Sequence, residues 1–220
     1  AIPQNSSGSD LASVDALHIA SEVNWTAREA IRTPTFWLVN LATTLATGMA
    51  GPSILLYIVP YVTSKGLSPE VAAGGASILG VGMIVSRVLW AFIVSRIEVK
   101  SAFILYALTS AGGVILLMVA SPSALVVYSA TACAGVAFGG SYIIANIIWP
   151  DYFGRTSLGA IRGYTLPLST IGRSISPLLM AIIFDLTQSY QAGFVLIVLC
   201  YLIAAGAIYL AKRPVLTNLQ

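Results

Sequence analysis

The sequence predicts an all-α membrane protein, a bundle of six transmembrane helices, and three observations carry that prediction. Hydrophobic residues make up 57% of the 220 residues and charged residues only 9%. Mean hydropathy is +0.88. A soluble domain carries about a quarter of its residues charged to cover a water-facing surface, so this chain uses lipid as its solvent. The third observation is spacing: six apolar stretches, each near the ~20 residues that cross the hydrocarbon core, alternate with short polar breaks.

Residues 1–34 are polar and Ser/Asn-rich, and read as a loop or linker. Within it Thr26 and Glu29 have capping-box spacing, which predicts a short amphipathic helix to about Arg32, broken by Pro34. The membrane domain runs over 35–211, with helices at 35–62, 70–95, 101–120, 124–149, 162–184 and 191–211. Residues 212–220 form a polar tail. Interior Gly and Pro (Gly48, Gly51, Pro52, Pro167, Gly172, Pro177) are tolerated in membrane helices where neighbouring groups take up the freed carbonyls. Gly135 and Gly139, with the Gly74, Gly75, Gly80 and Gly82 series, offer small faces for close helix contact. Cys133 and Cys200 lie inside apolar runs, where small apolar packing is expected and a disulfide is not.

Charge orients the chain. Of eleven Lys and Arg residues, Arg28, Arg32, Arg96, Lys100, Arg155, Arg162, Lys212 and Arg213 fall on one side of six alternating helices, and only Lys65 on the other. The positive-inside rule makes the first side cytoplasmic, so both termini are expected there, in the plasma (cell inner) membrane. Trp37, Trp149, Tyr152, Tyr190 and Tyr209 sit near helix ends, where interfacial rings are expected. The basic residues form no stripe or patch suited to nucleic acid.

Two basic residues remain, Arg87 and Arg173, both inside apolar runs. Arg87 lies nine residues before Arg96 and Arg173 eleven after Arg162, which puts both about 13–17 Å above the cytoplasmic edge. An arginine at that depth costs at least ~2.5–3.5 kcal/mol, so each should face the bundle interior or a water-filled cavity. A purely structural salt bridge needs a carboxylate at matching depth. Glu70, Glu98, Asp151 and Asp185 all lie at helix ends instead. Guanidinium forks suit bidentate capture of a carboxylate or phosphate, so a small anion is the expected partner. Trp90 neighbours Arg87, and Ser169 and Ser176 flank Arg173 on its helix face. Phe138 and Tyr142, one turn apart in the fourth helix, are candidate walls of the pocket.

These residues sit within a wider pattern. Trp25-Thr-Ala-Arg-Glu-Ala-Ile-Arg-Thr-Pro-Thr-Phe-Trp37 resembles the central loop and seventh-helix start of major facilitator superfamily transporters, in the oxalate:formate antiporter and monocarboxylate transporter group. Val59 to Ala73 resembles that group's link between its seventh and eighth helices. Asp151-Tyr-Phe-Gly-Arg155, with Gly159 and Gly163, resembles its tenth-to-eleventh connection, and Pro177, Asp185, Ser189, Tyr190 and Phe194 continue the pattern. The resemblance implies the C-terminal six-helix half of a twelve-helix transporter, with an N-terminal half as partner. It also implies paired cations of the eighth and eleventh helices holding the anion, here Arg87 and Arg173, with tenth-helix aromatics such as Phe138 and Tyr142 around it. Two departures stand out. The loop motif after the eighth helix has Ala91, Ser95, Arg96 and Glu98 where Gly, Asp, Arg and Gly are usual, and Met83 stands where proton-coupled carriers have Asp.

The expected function is therefore transport of a small mono- or dicarboxylate, by exchange or uniport. Proton symport, with the proton site in the other half, and a non-transporting receptor or anchor stay open. An enzyme is not expected: the single histidine, His18, lies in the loop, and neither paired membrane aspartates nor a metal cluster is present. No cofactor is called for. The orientation is testable, because Asn5-Ser-Ser7 and Asn24-Trp-Thr26 are sequons on the expected cytoplasmic side. Neither should carry glycan, and mass spectrometry finding one on Asn24 would reverse the topology.

Overall fold

The computed structural model describes residues 25–214; most of the expected 1–34 linker, His18 and both sequon asparagines lie outside them. The first element, α1 (Ala27–Ile31), is fixed by its cap. Thr26 Oγ1 accepts from the Glu29 amide, and the Glu29 carboxylate accepts from the Thr26 amide and hydroxyl. The Thr26 hydroxyl first, and its amide second, hold the Glu29 pKa below the ordinary carboxylate value. Pro34 then opens the next helix at a position where its missing N–H costs nothing, with Thr33 as N-cap.

Six helical spans follow. The first is Pro34–Ser64, built from α2 (Pro34–Thr43), a π-helical turn (Thr44–Ala50) and α3 (Gly51–Ser64). The second is α4 (Pro69–Arg96) and the third α5 (Val99–Val119). The fourth, Ala124–Phe153, is split into α6 (Ala124–Phe138) and α7 (Ser141–Phe153). The fifth is α8 (Leu158–Thr187) and the sixth α9 (Tyr190–Leu210). Each end lies within four residues of where hydropathy places it. No strand occurs among the described residues.

The π-helical turn is not foreshadowed by hydropathy, and its cause lies next to it. Pro52 has no N–H to give to the preceding turn. Side chains from other spans bond to carbonyls of that turn: Ser176 Oγ donates to Met49 O at 2.6 Å and Tyr106 Oη to Ala46 O at 3.5 Å. The break between α6 and α7 has a different origin. Gly139 and Gly140 face α4, where a Cβ on Gly139 would strike Ser86 Oγ and one on Gly140 would lie 2.6 Å from the Trp90 ring. Gly135, one turn earlier, lies against the Leu79 carbonyl oxygen, which a Cβ at that position would approach to 2.5 Å. Small residues thus let α4 and α6 approach backbone to backbone.

Lysines close two helix ends. Lys65 Nζ donates to the carbonyls of Leu117, Met118 and Ala120 at 3.2, 3.0 and 2.9 Å, and lies 4.8 Å from the Tyr61 ring centroid. Partial burial holds its pKa below the ordinary lysine value. The one basic residue on its side of the six spans, which also carries Glu70 and Asp185, is thus the cap of α5. Lys100 does the same for α9 through the Tyr209 and Ala211 carbonyls, at 2.8 and 3.0 Å.

Two of the expected interfacial rings turn inward. Trp149 and Tyr152 are buried; Trp149 packs on Phe36 and Phe153, and Trp25 meets Phe153 edge-on. The reason is local. This end of α7 faces the start of the first span, so its rings find protein in place of lipid headgroups. Trp37 and Tyr209 do face outward. Cys200 is buried, whereas Cys133 lies exposed on a lateral apolar groove; both are free thiols.

Gly135→Val should destabilise the α4–α6 contact by about 1–3 kcal/mol, the usual cost of overpacking, lowering Tm in detergent. Lys65→Met, which leaves three carbonyls at the end of α5 without their charged donor, should cost about 1.5–3 kcal/mol by the same measurement.

Candidate anion-binding site

Every span contributes to one open cavity. Its lining is Thr47, Gly51, Pro52 and Leu55 from the first, Met83 from the second and Tyr106 from the third. Phe138 and Ser141 come from the fourth, Arg173 from the fifth and Tyr201 from the sixth, around about 240 Å³.

Arg173 supplies the cavity's charge. It is exposed on α8, and the one ion pair among the described residues is elsewhere, between Arg213 and Asp151 at 3.1 Å on the surface. Arg87 stands one turn after Met83 on the same face of α4, so it lies beside the lining without being part of it. Its guanidinium sits 5.5 Å from the ring centroid of Tyr142, which is 66% exposed. A cation over a ring is held by ~0.5–2 kcal/mol without losing its charge. Both arginines therefore keep open hydrogen-bonding capacity.

The spans that carry them are also the most open. In α4 and α8, 17% of the apolar window is buried, against 44–50% in the other four spans. The two helices share α3 and otherwise differ in their chief neighbours: α4 packs mainly on α6, α8 on the π-helical turn and α9. An interior charge on an otherwise lipid-soluble helix is tolerated where a polar cavity or a second domain covers it.

The remaining candidates divide. Phe138 is buried against Tyr201, the rings stacked with centroids 6.2 Å apart, and it lines the cavity with Arg173. It does not share a wall with Tyr142, as a continuous helix would have placed it. The Gly139–Gly140 break separates them: Phe138 lines the cavity that Arg173 also lines, and Tyr142 lies under the Arg87 guanidinium. Ser169 is half-buried where α8 crosses the first span, its carbonyl 3.2 Å from the position of a Cβ on Gly48.

Ser176 and Trp90 are placed differently from the sequence expectation. Ser176 is buried, bonded to Ser53 Oγ and Met49 O, and so clasps α8 to the first span. Trp90 is buried with its indole N–H given to Val136 O at 2.9 Å, and it lines the lateral apolar groove. In both, helix–helix contact has taken the polar group. Tyr106, Ser141 and Tyr201, which sequence reasoning passed over, line the cavity instead. Tyr106 meets Tyr201 edge-on at 6.0 Å, and the buried Tyr201 hydroxyl has no hydrogen-bond partner among the described residues. The available signal was a phenol in the middle of a span, where a polar tip needs a partner.

Comparison with known proteins bears on the family and the fold. The profile of the Major Facilitator Superfamily matches residues 5–177. Monocarboxylate transporter 12 of Homo sapiens is 28% identical over 173 residues, 76% of this chain and 34% of that protein. The Rattus norvegicus protein of the same name is 31% identical over 149 residues, 65% of this chain and 30% of that one. This chain thus spans about a third of the length of the curated relatives it matches. Among solved structures, the major facilitator transporter FucP in its outward conformation superposes with a TM-score of 0.68 at 16% identity, over 83% of this chain and 44% of that one. A variant of the E. coli fucose:proton symporter FucP gives 0.67 at 14% identity, over 92% and 46%. At such identities the structural likeness speaks for the fold alone. The profile match covers well over half of the sequence, and by it this chain belongs to the major facilitator superfamily.

Proposed function

We propose that this chain is the C-terminal six-helix half of a secondary transporter for a small mono- or dicarboxylate, with Arg87 and Arg173 holding the anion. The observation that carries the reading is Arg173 in a cavity lined from all six spans, with no acidic partner among the described residues. An uncompensated guanidinium lining the cavity favours an anion over a neutral ligand. The likeness to proteins named monocarboxylate transporter 12 supports the carboxylate class.

The mechanism follows from exposure. The open faces of α4 and α8 pack against an N-terminal six-helix half, and the two halves rock about an anion held between them. Arg87 and Arg173 neutralise the carboxylate, and Phe138 and Tyr142 flank it. Binding is thereby strongest when both halves close on the charge. The termini face the cytoplasm of a plasma-membrane protein, as the basic residues direct. Asp, Glu and His are absent from the middle of the described spans, which favours exchange or uniport over a proton relay in this half.

In the full-length protein reconstituted into liposomes, Arg87→Gln should abolish exchange of oxalate, formate and lactate. Arg87→Lys, keeping the charge without the fork, should retain a fraction of it. Wild-type exchange by the Gln variant would overturn the assignment.

A further inference from the structure

A third arginine, Arg162 of the fifth span, lies outside this cavity. Arg162, in the second turn of α8, is half-buried and donates from Nη2 to Asn146 of α7, at 2.8 Å to Oδ1 and 3.3 Å to the backbone carbonyl. Asn146 in turn donates from Nδ2 to the Tyr142 carbonyl at 2.6 Å. Tyr142 is the residue whose ring carries Arg87. A chain of contacts thus links the cation near the basic membrane surface to a cation beside the cavity.

The spacing on α8 repeats the same alignment. Arg162 and Arg173 are eleven residues apart, close to three full turns, so they share a face at an axial separation of about 16 Å. Ser169 lies between them on that face. On α7, Tyr142 and Asn146 are one turn apart, so Arg87 and Arg162 are approached along one stripe.

The charge of Arg162 is oriented without being cancelled. Its side-chain partner is a neutral amide, and the ion pair among the described residues is Arg213 with Asp151. A guanidinium has five N–H groups in a fixed fork. Both bonds to Asn146 come from one nitrogen, which leaves donors on the others for a ligand. A structural clasp alone would be served better by a carboxylate at position 146.

We propose that Arg162, positioned by Asn146, is a second anion station, which takes the carboxylate between the basic membrane surface and the central Arg87–Arg173 site. This rests on the anion-transport reading above and extends it to the path. The anion steps from Arg162 past Asn146 and Tyr142 to Arg87, never leaving the field of a cation. Like-charged funnels of this kind raise arrival rates by about 10–1,000-fold and lose that advantage in salt.

The test measures oxalate uptake by the full-length protein in liposomes, with initial rates taken separately from each membrane face. Arg162→Gln should slow uptake from the basic face about tenfold at low oxalate and flatten its dependence on ionic strength, while equilibrium oxalate affinity stays within twofold. Arg162→Lys should recover most of the rate. Asn146→Asp separates station from clasp, because it pairs Arg162 more strongly while cancelling its charge. The station reading expects it to be as slow as Arg162→Gln, and it supplies the result if the Gln variant does not fold. Wild-type rates and salt dependence for Asn146→Asp would overturn the proposal, leaving Arg162 a clasp. If Arg87→Gln also transported normally, the central assignment would fail as well; an inactive Arg87→Gln beside a normal Asn146→Asp sinks only the station.

Discussion

Hydrocarbon offers no hydrogen bonds, so each backbone polar group in a membrane span has to be satisfied by the chain itself. Most of this architecture answers that demand. Regular helix meets it for the bulk of each span, and the exceptions draw side chains across the bundle. Where the first span departs into a π-helical turn ahead of Pro52, Ser176 and Tyr106 reach carbonyls of that turn from the fifth and third spans. Where α5 and α9 end, Lys65 and Lys100 collect their last carbonyls. These contacts tie distant parts of the chain together, so satisfaction of the backbone also sets the packing.

The same demand shapes the cavity. Packing in lipid depends on close approach, and the glycines of α6 and the Gly139–Gly140 break let α4 come against backbone. Breaking the fourth span turns its two halves to different tasks. Phe138 faces inward to Tyr201 and Arg173, whereas Tyr142 stays outward beneath Arg87. Trp90 fills the space against Gly140 and gives its indole N–H to α6, so its polar group is taken up by the helix contact. A site lined from six spans is thereby a product of how tightly the helices are allowed to meet.

Charge is distributed with economy. At the surface Arg213 and Asp151 pair, a contact of the exposed kind that contributes ~0–1 kcal/mol. Deeper in, the arginines are given aromatic or amide neighbours that orient them and leave their charge intact. Paired charge at the surface thus contrasts with arginines inside the spans that have no acidic partner among the described residues, and the anion path proposed above rests on that contrast. The two spans that carry Arg87 and Arg173 are also the least buried.

The sequence by itself determined the membrane class, the six helical spans, the capping box at Thr26 and the isolation of Arg87 and Arg173. Each of these depends on composition or on short-range spacing, which a linear reading resolves. Only the tertiary structure decided which polar groups remain free. Ser176 and Arg173 are three residues apart on one helix, yet the first is spent on Met49 and Ser53 and the second opens to the cavity. Trp149 and Tyr152 likewise read as interfacial from their place near a helix end, and turn inward because the first span lies against them. Tyr201 gains its place in the lining through contacts with residues nearly a hundred positions away, such as Tyr106. The physical reason is common to all: whether a side chain is available to a ligand depends on what packs opposite it, and helical periodicity says which way it points without saying what it meets.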